Sequence, residues 1–223
     1  MNPSKPLRQL GRSLAPSRRR RGPDLTLPLV GVGVGAAVAF AVLARRVARH
    51  ETAHADGELR KQVPKRRGPR LKRAAELLGP LGKPAVHAPV AALFAAYTRP
   101  STRSGAAAIA SSSAASKGVS MAFERLLPHR RPPRGRHEPS EPSFPSGHSL
   151  ETAAVALTTA WVLVREGRAN PWLAAPAAVA VPFLSGAGRV YLDRHWGTDV
   201  LGGWLAGTAV AAGCAALYER KRK

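Results

Sequence analysis

The stretch LTLPLVGVGVGAAVAFAVLA, residues 25–44, contains no charged side chain. As a helix rising 1.5 Å per residue it spans roughly 30 Å, the thickness of a bilayer's hydrocarbon core. It is longer than the apolar core of a signal peptide. Arg45 and Arg46 follow directly where a small-residue cleavage site would stand. The stretch is therefore expected to remain as a membrane helix. Gly31, Gly33 and Gly35 have neither the preceding strand nor the spacing of a nucleotide-binding loop, and close helix packing is the expected use of these small residues.

Further apolar segments follow toward the C-terminus. They are Pro84–Thr98, Ser104–Phe123 with Lys117 as its one charge, Leu150–Val164 apart from Glu151, Trp172–Gly188, and Val200–Tyr218. Backbone polar groups must be satisfied internally in lipid, so spanning segments are helices or closed barrels. Barrel strands need roughly 10 alternating residues, and these segments are longer and do not alternate. The sequence thus predicts an all-α, multi-spanning bundle of five or six membrane helices. Residues 1–24 read as a basic, disordered tail, 25–83 as a first membrane helix with a basic linker, 84–218 as the main helix-bundle domain, and 219–223 as a basic C-terminal tail.

Lys and Arg number 35 against 13 acidic residues, a formal charge of +22. On a soluble domain this would suggest a nucleic-acid partner. Here the charge sits in the tails and loops flanking apolar segments, where it matches an anionic bilayer surface. The basic stretches 1–24 and 45–73 also lack the aromatic residues that stack on bases. The single cysteine, Cys214, lies in an Ala/Gly-rich run; it permits no internal disulfide and no paired-cysteine zinc site.

Polar residues gather at segment ends in three places. The first is His129-Arg130-Arg131-Pro132-Pro133-Arg134, the second Phe144-Pro145-Ser146-Gly147-His148-Ser149, and the third runs from Arg189 to Asp199. If successive helices alternate in direction, all three lie on one face of the membrane. His148, His195, Asp199 and several arginines there suit a phosphate monoester or diphosphate. Arg131 and Arg189 are candidates to neutralise phosphate oxygens with bidentate forks. Gly147 would let backbone N–H groups approach the anion, at a turn leading into a helix N-terminus. His148 is placed to protonate the departing alcohol, and His195 to attack phosphorus. Asp199, four residues after His195, would orient the imidazole's second nitrogen. Taken alone, it also suits the cap of the last helix.

These residues resemble the type-2 phosphatidic acid phosphatase family, whose lipid phosphate phosphatases share a core with vanadium haloperoxidases. The family's motifs are K-x6-R-P, P-S-G-H and S-R-x5-H-x3-D. The second is intact as Pro145-Ser146-Gly147-His148. The third is present as Arg189, His195 and Asp199, with Gly188 at the serine position. Of the first, Arg131-Pro132 matches, but Glu124 occupies the lysine position, with Arg125 one residue away. The likeness covers roughly residues 85–218. It implies a membrane phosphatase acting through a phosphohistidine, with Ser146, Gly147, Arg131, Arg189 and Arg125 on the phosphate. It implies no cofactor or metal, and a site on the non-cytoplasmic face of the cell membrane. The long basic stretch 45–83 then lies outside; the short flanks of the last helices carry more weight for orientation.

Three functions stay open at this point. One is hydrolysis of a lipid phosphate: phosphatidic acid, phosphatidylglycerol phosphate, or a polyprenyl phosphate or diphosphate. Another is a degenerate relative that binds anionic lipid or a partner without turnover, which Glu124 and Gly188 motivate. The last, membrane-anchored nucleic-acid binding, is the least supported by composition. Oligomeric state is not readable from the sequence.

Overall fold

The computed structural model describes residues 23–64, 68–79, 103–127, 131–133 and 142–222. The described chain forms seven helices: α1 (Thr26–Ala48), α2 (Ala53–Gln62), α3 (Pro69–Leu78), α4 (Arg103–Leu126), α5 (Gly147–Arg165), α6 (Pro171–Tyr191) and α7 (Gly197–Lys221). The expected segment Pro84–Thr98 and the N-terminal tail up to residue 22 lie outside the described residues.

Among the described residues, three helices are long and apolar enough to cross a membrane by length and composition: α1, α6 and α7. Five or six were expected, one of them at residues 84–98, outside the described residues. α4 and α5 have 24 and 19 residues, a spanning length. In α4, however, serines stand where the other helices have aliphatic residues. Ser112, Ser116 and Ser120, spaced four apart, are buried in the bundle, and Ser112 and Ser116 return their hydroxyl protons to carbonyls one turn back. The outer faces are apolar. Val30, Val34, Val38 and Val42 of α1 and Val179 and Phe183 of α6 are all exposed. Apolar side chains outside and hydroxyls inside is the distribution that a lipid environment favours.

α7 is the central helix, packed against α1, α5 and α4. Its glycines set the distances. A Cβ on Gly203 would lie 2.7 Å from the Ser146 carbonyl oxygen, and one on Gly207 2.6 Å from that of Leu150. The small-x3-small spacing thus lets α5 and α7 meet backbone to backbone. Gly186 does the same between α6 and α7, where its Cβ would stand 2.5 Å from Val200 Cγ1. Trp204 donates its indole N–H to the Pro182 carbonyl at 3.0 Å. Of the three α1 glycines expected to serve packing, only Gly33 has a close neighbour, Ala212 Cβ at 3.4 Å; Gly31 and Gly35 meet nothing within 4 Å.

Short turns enforce antiparallel neighbours. α6 starts at Asn170-Pro171, where the Asn170 side chain accepts the Trp172 N–H at 2.9 Å and proline takes the first helical position. At that end of the bundle Arg165 grips Glu219 with two bonds of 2.7 Å, tying α5 to α7. At the opposite end the N-termini of α5 and α7 meet the C-termini of α4 and α6.

Candidate active site

The turn before α5 and the turn before α7 are joined directly. The Ser146 N–H donates to the Asp199 carbonyl at 2.9 Å, and Phe144 packs against Gly202, whose Cβ would lie 2.6 Å from the ring. This brings His195, in the α6–α7 turn, over the segment leading into α5. His195 Nδ1 is 3.1 Å from the Ser143 carbonyl oxygen and 3.5 Å from Asp199 Oδ2. A carbonyl can only accept, so Nδ1 carries the proton and Nε2 keeps its lone pair. Nε2 faces Arg131 Nη1 at 3.3 Å, and the same Nη1 donates to the Arg194 carbonyl at 3.1 Å.

The imidazole is buried beside two cations. Burial pushes its pKa below the ordinary value, the Asp199 hydrogen bond and charge oppose this, and Arg131 and Arg189 reinforce it. The neutral, nucleophilic form therefore persists below about pH 6.5. The same shift makes this group's stabilisation of the fold complete above about 6.5 and lost as pH falls from there through the folded value. Two variants test the assignment with one substrate, so that substrate ionisation cancels. The acid limb of kcat/KM is expected to move to lower pH in Asp199→Asn and to higher pH in Arg131→Gln; limbs that coincide with wild type would refute it.

A cavity of about 230 Å³ opens over this imidazole. His195, His148, Arg131, Gly147, Lys117, Ser120, Glu124 and Glu151 are among its lining residues. Of the residues singled out in the sequence, His195, His148, Arg131 and Gly147 thus share one cavity. The others are placed differently. Asp199 is wholly buried behind His195 and also accepts the Trp196 N–H at 2.8 Å, so it caps α7 as well as facing the imidazole. The Ser143 carbonyl is nearer to Nδ1 than Asp199 is, and shares the orienting position expected of the aspartate. Ser146 is buried, with its N–H committed to Asp199 and its hydroxyl accepting from Ser149 at 3.1 Å. Gly147 answers a packing need: its Cβ would lie 2.8 Å from Ser120 Oγ of α4.

Arg189 is buried beside the cavity, outside its lining. Its Nη2 is 3.4 Å from the Gly79 carbonyl, and its Nε has no hydrogen-bond partner among the described residues. Arg125 is exposed on α4 and does not line the cavity. One residue turns a helix by about 100°, which takes position 125 off the face that carries 124. Lys117 is seven residues before Glu124, two helical turns, and so shares that face. It lines the cavity where Arg125 was expected. Glu124 accepts the Ser120 hydroxyl at 2.9 Å, and Glu151 Oε2 is buried without a hydrogen-bond partner among the described residues. Sequence reading noted Lys117 and Glu151 as charges within apolar segments, and an intramembrane charge is itself a signal of function. At Gly188, where the resembled family has serine, α3 packs closely: a Cβ there would be 3.5 Å from the Cα, Cβ and carbonyl oxygen of Ala75.

The chain resembles known proteins in both sequence and fold. Phosphatidylglycerophosphatase B of Bacillus subtilis (strain 168) is 41% identical over 71 residues, which are 29% of this chain and 34% of that protein. The matched stretch thus spans about a third of the relative's length. The fold matches the crystal structure of a transmembrane PAP2-type phosphatidylglycerolphosphate phosphatase from Bacillus subtilis, with a TM-score of 0.74 and 22% identity. The match covers 85% of this chain and 96% of that one. The sequence profile of the PAP2 superfamily matches residues 102–223, the part that contains α4 to α7 and every residue lining the cavity. The chain belongs to the PAP2 superfamily.

Proposed function

We propose that this protein is a multi-pass membrane phosphatase that hydrolyses a lipid phosphate through a phosphohistidine. The observation that carries the reading is His195. Its Nδ1 is held by two acceptors, and its Nε2 lone pair faces an arginine in a cavity shared with a second histidine. Nε2 attacks phosphorus, an N–P bond forms, and the P–O bond to the lipid breaks. The departing oxygen keeps the electron pair and takes a proton from His148. Water then attacks phosphorus, returns a proton to His148, and the N–P bond breaks to release inorganic phosphate. Arg131, Arg189 and Lys117 offset the charge on the phosphoryl oxygens. No step uses a cofactor.

In this reading five or six helices span the bilayer, with the site on the non-cytoplasmic face and the basic tails against anionic lipid. Residues 84–218 form the bundle that carries the chemistry. The Bacillus subtilis relatives are named for phosphatidylglycerophosphate, which makes that lipid the first substrate to try. Phosphatidic acid and polyprenyl phosphates or diphosphates come next.

Purified protein in detergent is expected to release phosphate from at least one of these lipids without added metal, with inhibition by vanadate. Quenching during turnover is expected to trap an acid-labile, alkali-stable phosphoryl group on residue 195. A second reading rests on Glu124 and Glu151, two acidic residues among those lining the cavity: a family member that holds anionic lipid without turnover. Binding of the lipid panel with no phosphate release would establish that reading and sink the first.

A further inference from the structure

Helix α2 lies outside the part of the chain matched by the superfamily profile, yet one of its faces grips the turn that carries His195. Asp56 accepts the Thr198 N–H at 3.0 Å and the Thr198 hydroxyl at 2.6 Å, and so caps the first turn of α7 from another helix. One turn along, Arg60 makes a two-armed bond to Asp193, Nε to Oδ1 at 2.8 Å and Nη2 to Oδ2 at 2.9 Å. Its guanidinium also lies over the Trp196 ring, 5.7 Å from the centroid. Between them, Leu59 presses on the backbone: a Cβ on Gly197 would stand 2.5 Å from Leu59 Cδ2. Positions 56, 59 and 60 are spaced by three and four, so they share one helix face.

The contacts bracket His195 on both sides, at 193 and at 196–198. Asp193 has φ 58°, in the left-handed region, which aspartate enters more readily than most L residues. Its carboxylate is almost wholly buried, and Arg60 is a charge-assisted partner for it. The seam between α2 and the turn is nearly closed. A space of about 10 Å³ remains there, lined by Asp56, Arg60, Pro132, Asp193 and His195 among others, barely enough for one water. His195 therefore has the substrate cavity on one side and α2 on the other.

We propose that α2 is a clamp that fixes the His195 imidazole for in-line attack, with Arg60 and Asp56 as positioning residues. The proposal rests on the phosphatase reading for its kinetic consequence, but its structural content is testable without turnover. A displacement of about 1 Å at a reacting group is enough to lower a rate by about 10²-fold. Arg60→Gln and Asp56→Asn are expected to lower kcat by about 10- to 100-fold while KM changes less than about threefold. Arg60→Lys, which keeps the charge and loses the fork, is expected to recover part of kcat.

Amide hydrogen exchange of residues 191–199 reads the clamp directly, with residues 205–218 of α7 as the internal control. Both variants are expected to speed exchange in the first segment and leave the second unchanged. If the wild-type protein released no phosphate but exchange responded in this way, the phosphatase reading would fall and the clamp would stand. Exchange of residues 191–199 that matches wild type in both variants would overturn the clamp whatever the activity. So would a wild-type kcat per folded molecule, or a loss confined to KM, in an active enzyme.

Discussion

Replacing His195 with alanine is expected to lower phosphate release by at least about 10³-fold and to abolish the trapped phosphoryl-enzyme. The structure gives the reason. Nε2 is the atom whose lone pair faces the cavity, because Nδ1 is held by the Ser143 carbonyl and Asp199. Without it, water would have to attack directly, with only the surrounding arginines and lysine lowering the barrier. A comparison with His148→Ala separates the two histidines. A general acid contributes about 10²–10⁴-fold, and does so only when the departing oxygen needs a proton. With p-nitrophenyl phosphate, whose leaving group departs as an anion, the His148→Ala deficit is expected to shrink and the His195→Ala deficit to persist. Equal phosphate release by wild type and His195→Ala would end the phosphohistidine mechanism.

The second large effect is expected on folding. In Gly203→Val the new Cβ would fall 2.7 Å from the Ser146 oxygen, 2.8 Å from Ser149 Cβ and 3.0 Å from the Leu150 nitrogen. Two of those neighbours are backbone atoms, which cannot turn aside as a flexible side chain can. Overpacking of this kind costs typically about 1–3 kcal/mol, and separating α5 from α7 places this substitution at or beyond the upper end. Thermal unfolding in detergent should show a clearly lowered midpoint. Gly207→Val is expected to destabilise comparably, since its Cβ meets the Leu150 oxygen at 2.6 Å and Ala153 Cβ at 2.7 Å. The two should part in kinetics. Position 203 presses on the turn that leads to His148, so its folded fraction should also lose kcat, whereas position 207 lies one helical turn deeper. Gly31→Ala, with nothing within 4 Å, serves as the control and should leave the midpoint near wild type.

The glycine pair shows which signals a sequence exposes and which it hides. Gly203 and Gly207 stand at a spacing that packs helices closely, and that spacing is visible in the chain. Gly31 and Gly35 of α1 have the same four-residue spacing and share a face, yet meet nothing within 4 Å, whereas Gly33, rotated off that face, meets Ala212, so spacing alone does not say which face finds a partner. Lys117 was legible by the same arithmetic: seven residues from Glu124 means the same face, whereas Arg125 is rotated off it. The clamp was not legible. Arg60 and Asp193 are 133 residues apart, and Asp56 and Thr198 are 142 apart, with no spacing rule between them.

By itself the sequence determined that the chain is helical, that its apolar segments suit lipid, and that three polar clusters fall at alternating segment ends. These follow from residue type and helical periodicity, which act over a few neighbouring residues. The tertiary structure alone decided which groups besides Asp199 face the imidazole. The Ser143 acceptor is a backbone carbonyl, a group that nearly every residue possesses, so no letter in the chain marks it. Ser146 and Gly147 carry the motif's letters, but packing against α7 and α4 assigns their N–H and their missing Cβ to structural duties. Contact between distant segments depends on how close two helices come, and that distance is set by all the side chains between them at once.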